Sequence, residues 1–323
     1  MTRVPHPLPA YLLTVMMRSS KTLIVEGRDD VMTMERLRVE LEKGKPTISR
    51  HVKNRIAIDT PDMVSDPSLT SLGNRDRVIK IMQFCADNGN IILLDKVRAI
   101  VDAEWSALAR FLDSVEYQAD EINKVSYTFG HSVENYIGAL GYFVEYLEQN
   151  WPEAVVPGFN EELLRYASEC YRVSLCFSVA TKRTHCLSRA RSLITYCHFA
   201  RDGSENISLR IEDVTAALLA RGLDENQLRS LSLNYHEAIR EFTGHDFHFI
   251  GRWGSDGHML LDIMWGYTLF VLNSISGNVE LIERISKSDK NLRFRFLVDR
   301  FASEVGCEKR PLDAIMKWAL GEN

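Results

Sequence analysis

The 323-residue sequence predicts an α/β fold, a mostly parallel sheet flanked by helices, followed by an all-α C-terminal domain. Three observations predict it. Short apolar runs alternate with amphipathic stretches through residues 22–150. Strand alternation then stops, and the remaining sequence favours helix. Apolar residues make up 45% and charged residues 26%, which supports ordinary packed cores in a chain of this length.

TLIV (22–25) reads as a short buried strand. In 29–44, Val31, Met34, Leu37 and Leu41 recur at helical spacing, and Gly44 supplies a stop. RIAI (55–58) is the next strand. Residues 59–74 hold two prolines, a glycine and several Asp and Ser, so they read as a loop. A helix over 75–90 follows, with Gly89 near its end. NIILLD (90–95) reads as a strand, 97–115 as a helix, KVSYTF (124–129) as a strand and 131–150 as a helix. Strands separated by helices imply right-handed parallel crossovers. The division falls after residue 135: an α/β domain over 1–135, and a helical domain over 136–323.

Composition bounds the function. The net charge of −5 gives no global attraction to nucleic acid. The six cysteines form no CxxC pair and read as reduced core thiols. AYLLTVMM (10–17) is too short to span a bilayer, and the apolar run 263–279 reads as a buried helix, so a cytoplasmic protein without membrane contact is expected. There is no GxxxxGK[ST] loop and no GxSxG elbow, so the chain is neither an ATPase nor a serine hydrolase.

Ligands of parallel sheets bind beyond the carboxyl ends of the strands. On the predicted strands, Glu26 follows the first, Asp95 ends the third, and His131 and Glu134 follow the fourth. Carboxylates gathered on one rim repel unless a cation joins them, and Mg²⁺ (or Mn²⁺) is the hard ion suited to them. Asp29 and Asp30 open the following helix, where they serve either as caps or as ligands. Glu134 reads equally as a first-turn acid favoured by the helix dipole, and His131 as a helix-start histidine.

Residues 170–201 contain no acid and carry Arg172, Lys182, Arg183, Arg189, Arg191 and Arg201. This island suits phosphate contacts, or equally docking on an acidic partner or the acidic part of its own chain. A second basic run, 43–55, reads as a solvated loop and strand edge. His245, His248 and His258 lie near Asp246 and Asp256 in a glycine-rich segment that could bind metal.

The stretch Glu26-Gly27-Arg28-Asp29-Asp30 resembles the E-G-x-x-D motif of the TOPRIM domain, shared by topoisomerases, primases and OLD-type nucleases. The family's aspartate maps to Asp30. Its later D-x-D pair matches at Asp95, while Val97 stands at the second position and cannot ligate. HSVEN (131–135) and NYHEAIREFTGHDFHF resemble more specifically the DUF4435 branch of TOPRIM proteins, which includes the effector of the PARIS anti-phage system. The resemblance implies a Mg²⁺-dependent nuclease with Glu26 and Asp95 catalytic, and Glu26, Asp30, Asp95 and Glu134 holding metal. It implies an ABC-type ATPase sensor as partner, which holds the effector inactive until phage is sensed. It also implies a homodimer on release, and host tRNA as substrate, with DNA as the other nucleic acid open to it. The incomplete D-x-D pair leaves an alternative, a non-catalytic regulatory or docking subunit with a degenerate site.

Overall fold

The computed structural model describes residues 5–43, 56–87, 91–116, 123–201 and 206–321. Gly44, Gly89 and the basic run beyond Lys43 lie outside them. The chain forms two compact units. One comprises residues 1–103, 114–133 and 302–323; the other comprises 104–113 and 134–301. The C-terminal segment therefore joins the first unit instead of continuing the helical domain, and residues 104–113 join the helical one.

The first unit is built on a parallel sheet. Among the described residues it has four strands: β1 (Lys21–Ile24), β2 (Ile56–Asp59), β3 (Val97–Val101) and β4 (Val125–Tyr127), in the order β2-β1-β3-β4. Ile24 is in register with Asp59 on one side and Ala99 on the other, and Val101 with Tyr127. Among the described residues, the α-helices of this unit that precede or connect these strands are α1 (Leu8–Met17), α2 (Arg28–Glu42), α3 (Asn74–Asp87) and α4 (Ile91–Lys96); the helix Trp105–Leu112, between β3 and β4 in sequence, belongs to the second unit.

Alternation along β3 decides the two faces. Val97, Ala99 and Val101 join Ile24 and Val125 in a core with Tyr11 and Val15 of α1, Ile81 and Cys85 of α3, and Leu93 of α4. On the opposite face, Arg98 lies over the ring of Trp318, 4.8 Å from its centroid, and Lys21 sits at the same distance. Trp318 belongs to the C-terminal helix Leu312–Leu320, which packs against α2 and β1.

The strand predicted over residues 90–95 is helical in its described part. Residues 91–96 form α4, and the third strand is the following Val97–Val101, which had been expected to open a helix. A short apolar run fits a buried strand and a buried helical turn equally well. Lys96 shows what settles it: its ammonium donates to the carbonyls of Met16 and Arg18, satisfying the C-terminal end of α1.

The second unit is mainly helical, with a two-stranded antiparallel ribbon of Phe199–Arg201 and Ile207–Leu209 that the sequence reading did not foresee. Its helix Gly257–Ser276 is long and apolar enough to cross a membrane by composition, yet is mostly buried within this unit, as a core helix is. Helix Phe247–Gly254 crosses helix Ala167–Arg183 so closely that a Cβ on Gly251 would stand 2.6 Å from the Tyr171 carbonyl oxygen. Backbone cannot yield as a side chain can. Gly251→Ala is expected to destabilise this unit by about 2–3 kcal/mol, read as a lowered midpoint in urea unfolding.

Candidate functional site

In the order β2-β1-β3-β4 the chain leaves β1 to one side for β2 and returns on the other side for β3. The crevice between the carboxyl ends of β1 and β3 is the topological switch point, where open α/β sheets bind ligands. Two acids flank it. Glu26 lies two residues past β1, and Asp102 directly follows β3. Both are half-buried. The backbone N–H of Asp102 donates to Glu26 Oε1 at 2.6 Å, so the first carboxylate is fixed by the backbone that presents the second.

The rim continues to β4. Thr128 Oγ1 accepts the N–H of Ala103 at 2.9 Å and donates to the Gly130 carbonyl at 2.7 Å, tying the ends of β3 and β4 together. His131 is buried a few residues further on. At the end of β2, the fully buried Asp59 accepts from Tyr11 Oη at 3.0 Å and from Arg18 Nη1 at 2.6 Å. Burial, followed by the Asp59 charge, pushes the Tyr11 hydroxyl well above its usual pKa, so it remains a donor. Asp59 is thus committed to holding α1 on the sheet.

Asp95 does not lie on this rim. It is an exposed residue of α4, two positions before β3, at the opposite edge of the sheet from Glu26. The misplacement follows directly from the strand shift, and Asp102 takes its place. The signal was present in IVDAE: β-branched residues, then an acid. The two-acid spacing absent at Asp95–Val97 exists at Asp102–Glu104. Glu104 is exposed, with φ of +48°, a strained value for a non-glycine residue.

Asp30 acts as a helix cap. Its Oδ2 accepts the Gly27 N–H at 2.8 Å from the third helical position, closing the open end of α2. Asp29 is exposed at the second position, so neither it nor Asp30 is the N-cap, which is Gly27. Gly27 has an extended backbone, φ −149°, and a Cβ there would meet only Asp30 Oδ2 at 3.7 Å. The turn therefore does not require glycine, and a side chain there would make only an ordinary van der Waals contact with Asp30.

Glu134 belongs to the helical unit, where it is buried with its Oε1 3.3 Å from His258 Nδ1. The glycine-rich histidine segment is a pair of capped helix starts. Asp246 accepts the His248 N–H and Asp256 accepts the Met259 N–H. The His248 ring lies against Tyr171 instead.

The cations of the basic island have partners within their own unit, and Arg172, Arg183 and Arg191 pair with acids. Arg172 pairs with Glu169 and Arg183 with Glu241. Arg189 donates to the Gly222 carbonyl, and Arg191 pairs with the buried Asp256 at 2.7 Å. Lys182 lies 4.2 Å over the Trp105 ring, where burial lowers its pKa and Glu104 partly offsets the shift. Of the two readings left open by sequence, these contacts favour docking on the acidic part of the same chain. Searches against protein-family models and curated proteins find no match to this chain.

Proposed function

We propose that the sheet unit is a divalent-metal-dependent nuclease of TOPRIM type, with Glu26 and Asp102 as its acids. The observation that carries this reading is the placing of two acidic residues at the switch point of a parallel sheet, with the backbone N–H of Asp102 bonded to the Glu26 carboxylate. Among the described residues no three His, Cys, Asp or Glu side chains form a metal cluster. Mg²⁺ suits such a site, because it takes one or two carboxylates and completes its shell with water and substrate phosphate. The donor chemistry fits: both groups are hard oxygen ligands. Glu26 and Asp102 would hold the ion, which when bound lowers the pKa of water and offsets charge on the phosphoryl group. Glu26, fixed by the Asp102 N–H, is placed to accept a proton from an attacking water. Arg28, exposed at the first position of α2, is placed to meet a phosphate beside Gly27.

By resemblance, the wider reading is an anti-phage effector in the cytoplasm, restrained by an ABC-type ATPase and released as a homodimer to cut host nucleic acid, tRNA first. A second reading has one supporting observation. The internal pairing of Arg172, Arg183, Arg189 and Arg191 suits a regulatory or docking subunit that does not grip polynucleotide. Incubating the purified chain, free of partners, with Mg²⁺ or Mn²⁺ and labelled tRNA, unstructured RNA and DNA separates the two. Metal-dependent cleavage that EDTA stops is expected; no cleavage of any substrate supports the docking subunit.

A further inference from the structure

In the helical unit, three cations gather at one exposed turn around Ser192. The turn follows the short helix Leu187–Ala190. The Arg221 guanidinium fixes it, donating from Nη1 to the carbonyls of Arg189 at 2.6 Å and Arg191 at 2.8 Å, and from Nη2 to that of Ser192 at 3.0 Å. Asp262 fixes it as well, accepting the Ser192 N–H at 2.7 Å. Arg189 donates from Nη1 to the carbonyl of Gly222, the residue after Arg221. Lys290 opens the helix Lys290–Ser303, and its ammonium lies 3.2 Å from Ser192 Oγ and 2.8 Å from Asp262 Oδ1.

A carbonyl fixes a guanidinium in place and leaves its charge. Among the described residues, neither Arg189 nor Arg221 pairs with a carboxylate. Arg189 is the one arginine of the basic island that bonds no acid, and Arg221 and Lys290 lie outside that island. The acids nearby are committed: Asp256 to Arg191, Asp262 to Lys290 and the Ser192 N–H, and Asp224 to the Gln227 N–H. Asp262 also faces Arg293, which is buried over the Trp265 ring at 4.1 Å. Burial lowers the Arg293 pKa to about 10, against the opposing pull of Tyr146, Asp262 and Asp289. Ser192 has φ of +55°, strained for a residue with a side chain. Glycine would take this φ freely; serine adds an exposed hydroxyl. Arg189 is exposed, and its Nε and Nη2 make no hydrogen bond within the described residues. Like charges drawn to one turn repel, and an anion relieves them.

We propose that this turn binds a phosphoryl anion, with Arg189, Lys290 and the Ser192 hydroxyl as its donors and Arg221 as the cation that fixes the turn. Donors from three separate segments suit the several oxygens of a phosphate, which accept strongly from both guanidinium and ammonium groups. The chemical class is a phosphate ester, either a free nucleotide or the backbone of a polynucleotide. The site lies wholly in the helical unit and rests on neither reading of the sheet unit's acids.

The test is binding without turnover. Calorimetric titration of inorganic pyrophosphate into the full chain, in EDTA, is expected to show saturable binding that weakens as sodium chloride rises. Arg189→Gln is expected to weaken it about ten-fold, through loss of a charge-assisted contact. Ser192→Asp is expected to abolish it, because the new carboxylate takes up Lys290 and repels the ligand. Aspartate tolerates a positive φ, so the turn is kept. Lys80→Gln removes the same charge from an exposed position of α3 and is expected to leave binding unchanged. Unfolding midpoints check that each variant is folded. A labelled single-stranded RNA then separates the sources. RNA binding that pyrophosphate competes away and Ser192→Asp removes assigns the site to a polynucleotide backbone; pyrophosphate binding without RNA binding assigns it to a small phosphate ester. No pyrophosphate binding, unaltered affinity in Arg189→Gln or Ser192→Asp, or an equal loss in Lys80→Gln would each overturn the proposal. Retained binding in a chain that shows no metal-dependent cleavage would keep this site and remove the nuclease; cleavage without binding would do the opposite.

Discussion

Glu26→Gln and Asp102→Asn are each expected to reduce metal-dependent cleavage by about 10³-fold, while Asp95→Asn leaves it unchanged. The contrast follows from the strand register. Glu26 and Asp102 flank one crevice and are joined through a 2.6 Å hydrogen bond. Asp95 is exposed in α4, at the far edge of the sheet. The glutamine variant is chosen because its carbonyl oxygen still accepts the Asp102 N–H, so the fold is kept while the charge is lost. Alanine would leave that half-buried N–H without its acceptor, at a cost of about 1–2 kcal/mol. Initial rates on labelled RNA, with unfolding midpoints as a control, distinguish lost chemistry from lost structure. Wild-type rates in Glu26→Gln would end the assignment of this rim as catalytic. Loss of activity in Asp95→Asn, with the fold intact, would instead move the site to the other edge.

Asp59→Ala is expected to cost about 3 kcal/mol of stability in the sheet unit. Its carboxylate is fully buried at the end of β2 and is the acceptor for both Tyr11 and Arg18. Truncation leaves a hydroxyl and a guanidinium in the core of α1 against the sheet. The Arg18 side chain is 18% exposed, so water relieves part of its charge, and the expected cost sits at the lower end of the range for broken buried pairs. Asp59→Asn retains an acceptor for Tyr11 and should cost less than the alanine change. Urea unfolding followed by tryptophan fluorescence measures both, since Trp318 packs in this unit. An unchanged midpoint for Asp59→Ala would mean that the ion pair contributes nothing net to holding α1.

Much of the fold was legible in residue order. TLIV, RIAI and VSYTF are close to β1, β2 and β4, and the helical spacing of Met34 and Leu37 matches the buried face of α2. Glu26 was legible too, because an acid between a strand end and a glycine has few structural reasons to be there. The third strand was not, since IILL and AIV are both short apolar runs and local pattern does not rank them. That single shift carried the second acid with it, from Asp102 to Asp95. Asp59 was missed because a polar residue before a proline-rich loop looks solvated, and only its burial against Tyr11 and Arg18 says otherwise.

Local sequence determined that this protein has a parallel α/β layer followed by helices, because apolar period and turn chemistry are properties of neighbouring residues. Tertiary structure alone decided which acids meet, because a site at a switch point is set by strand order and register, and neither is written in any one segment. It also decided that the basic island is spent on internal partners, and that the chain's last residues return to the sheet. Charges find counter-ions, and Trp318 finds Lys21 and Arg98, through contacts nearly three hundred and more than two hundred residues apart in sequence.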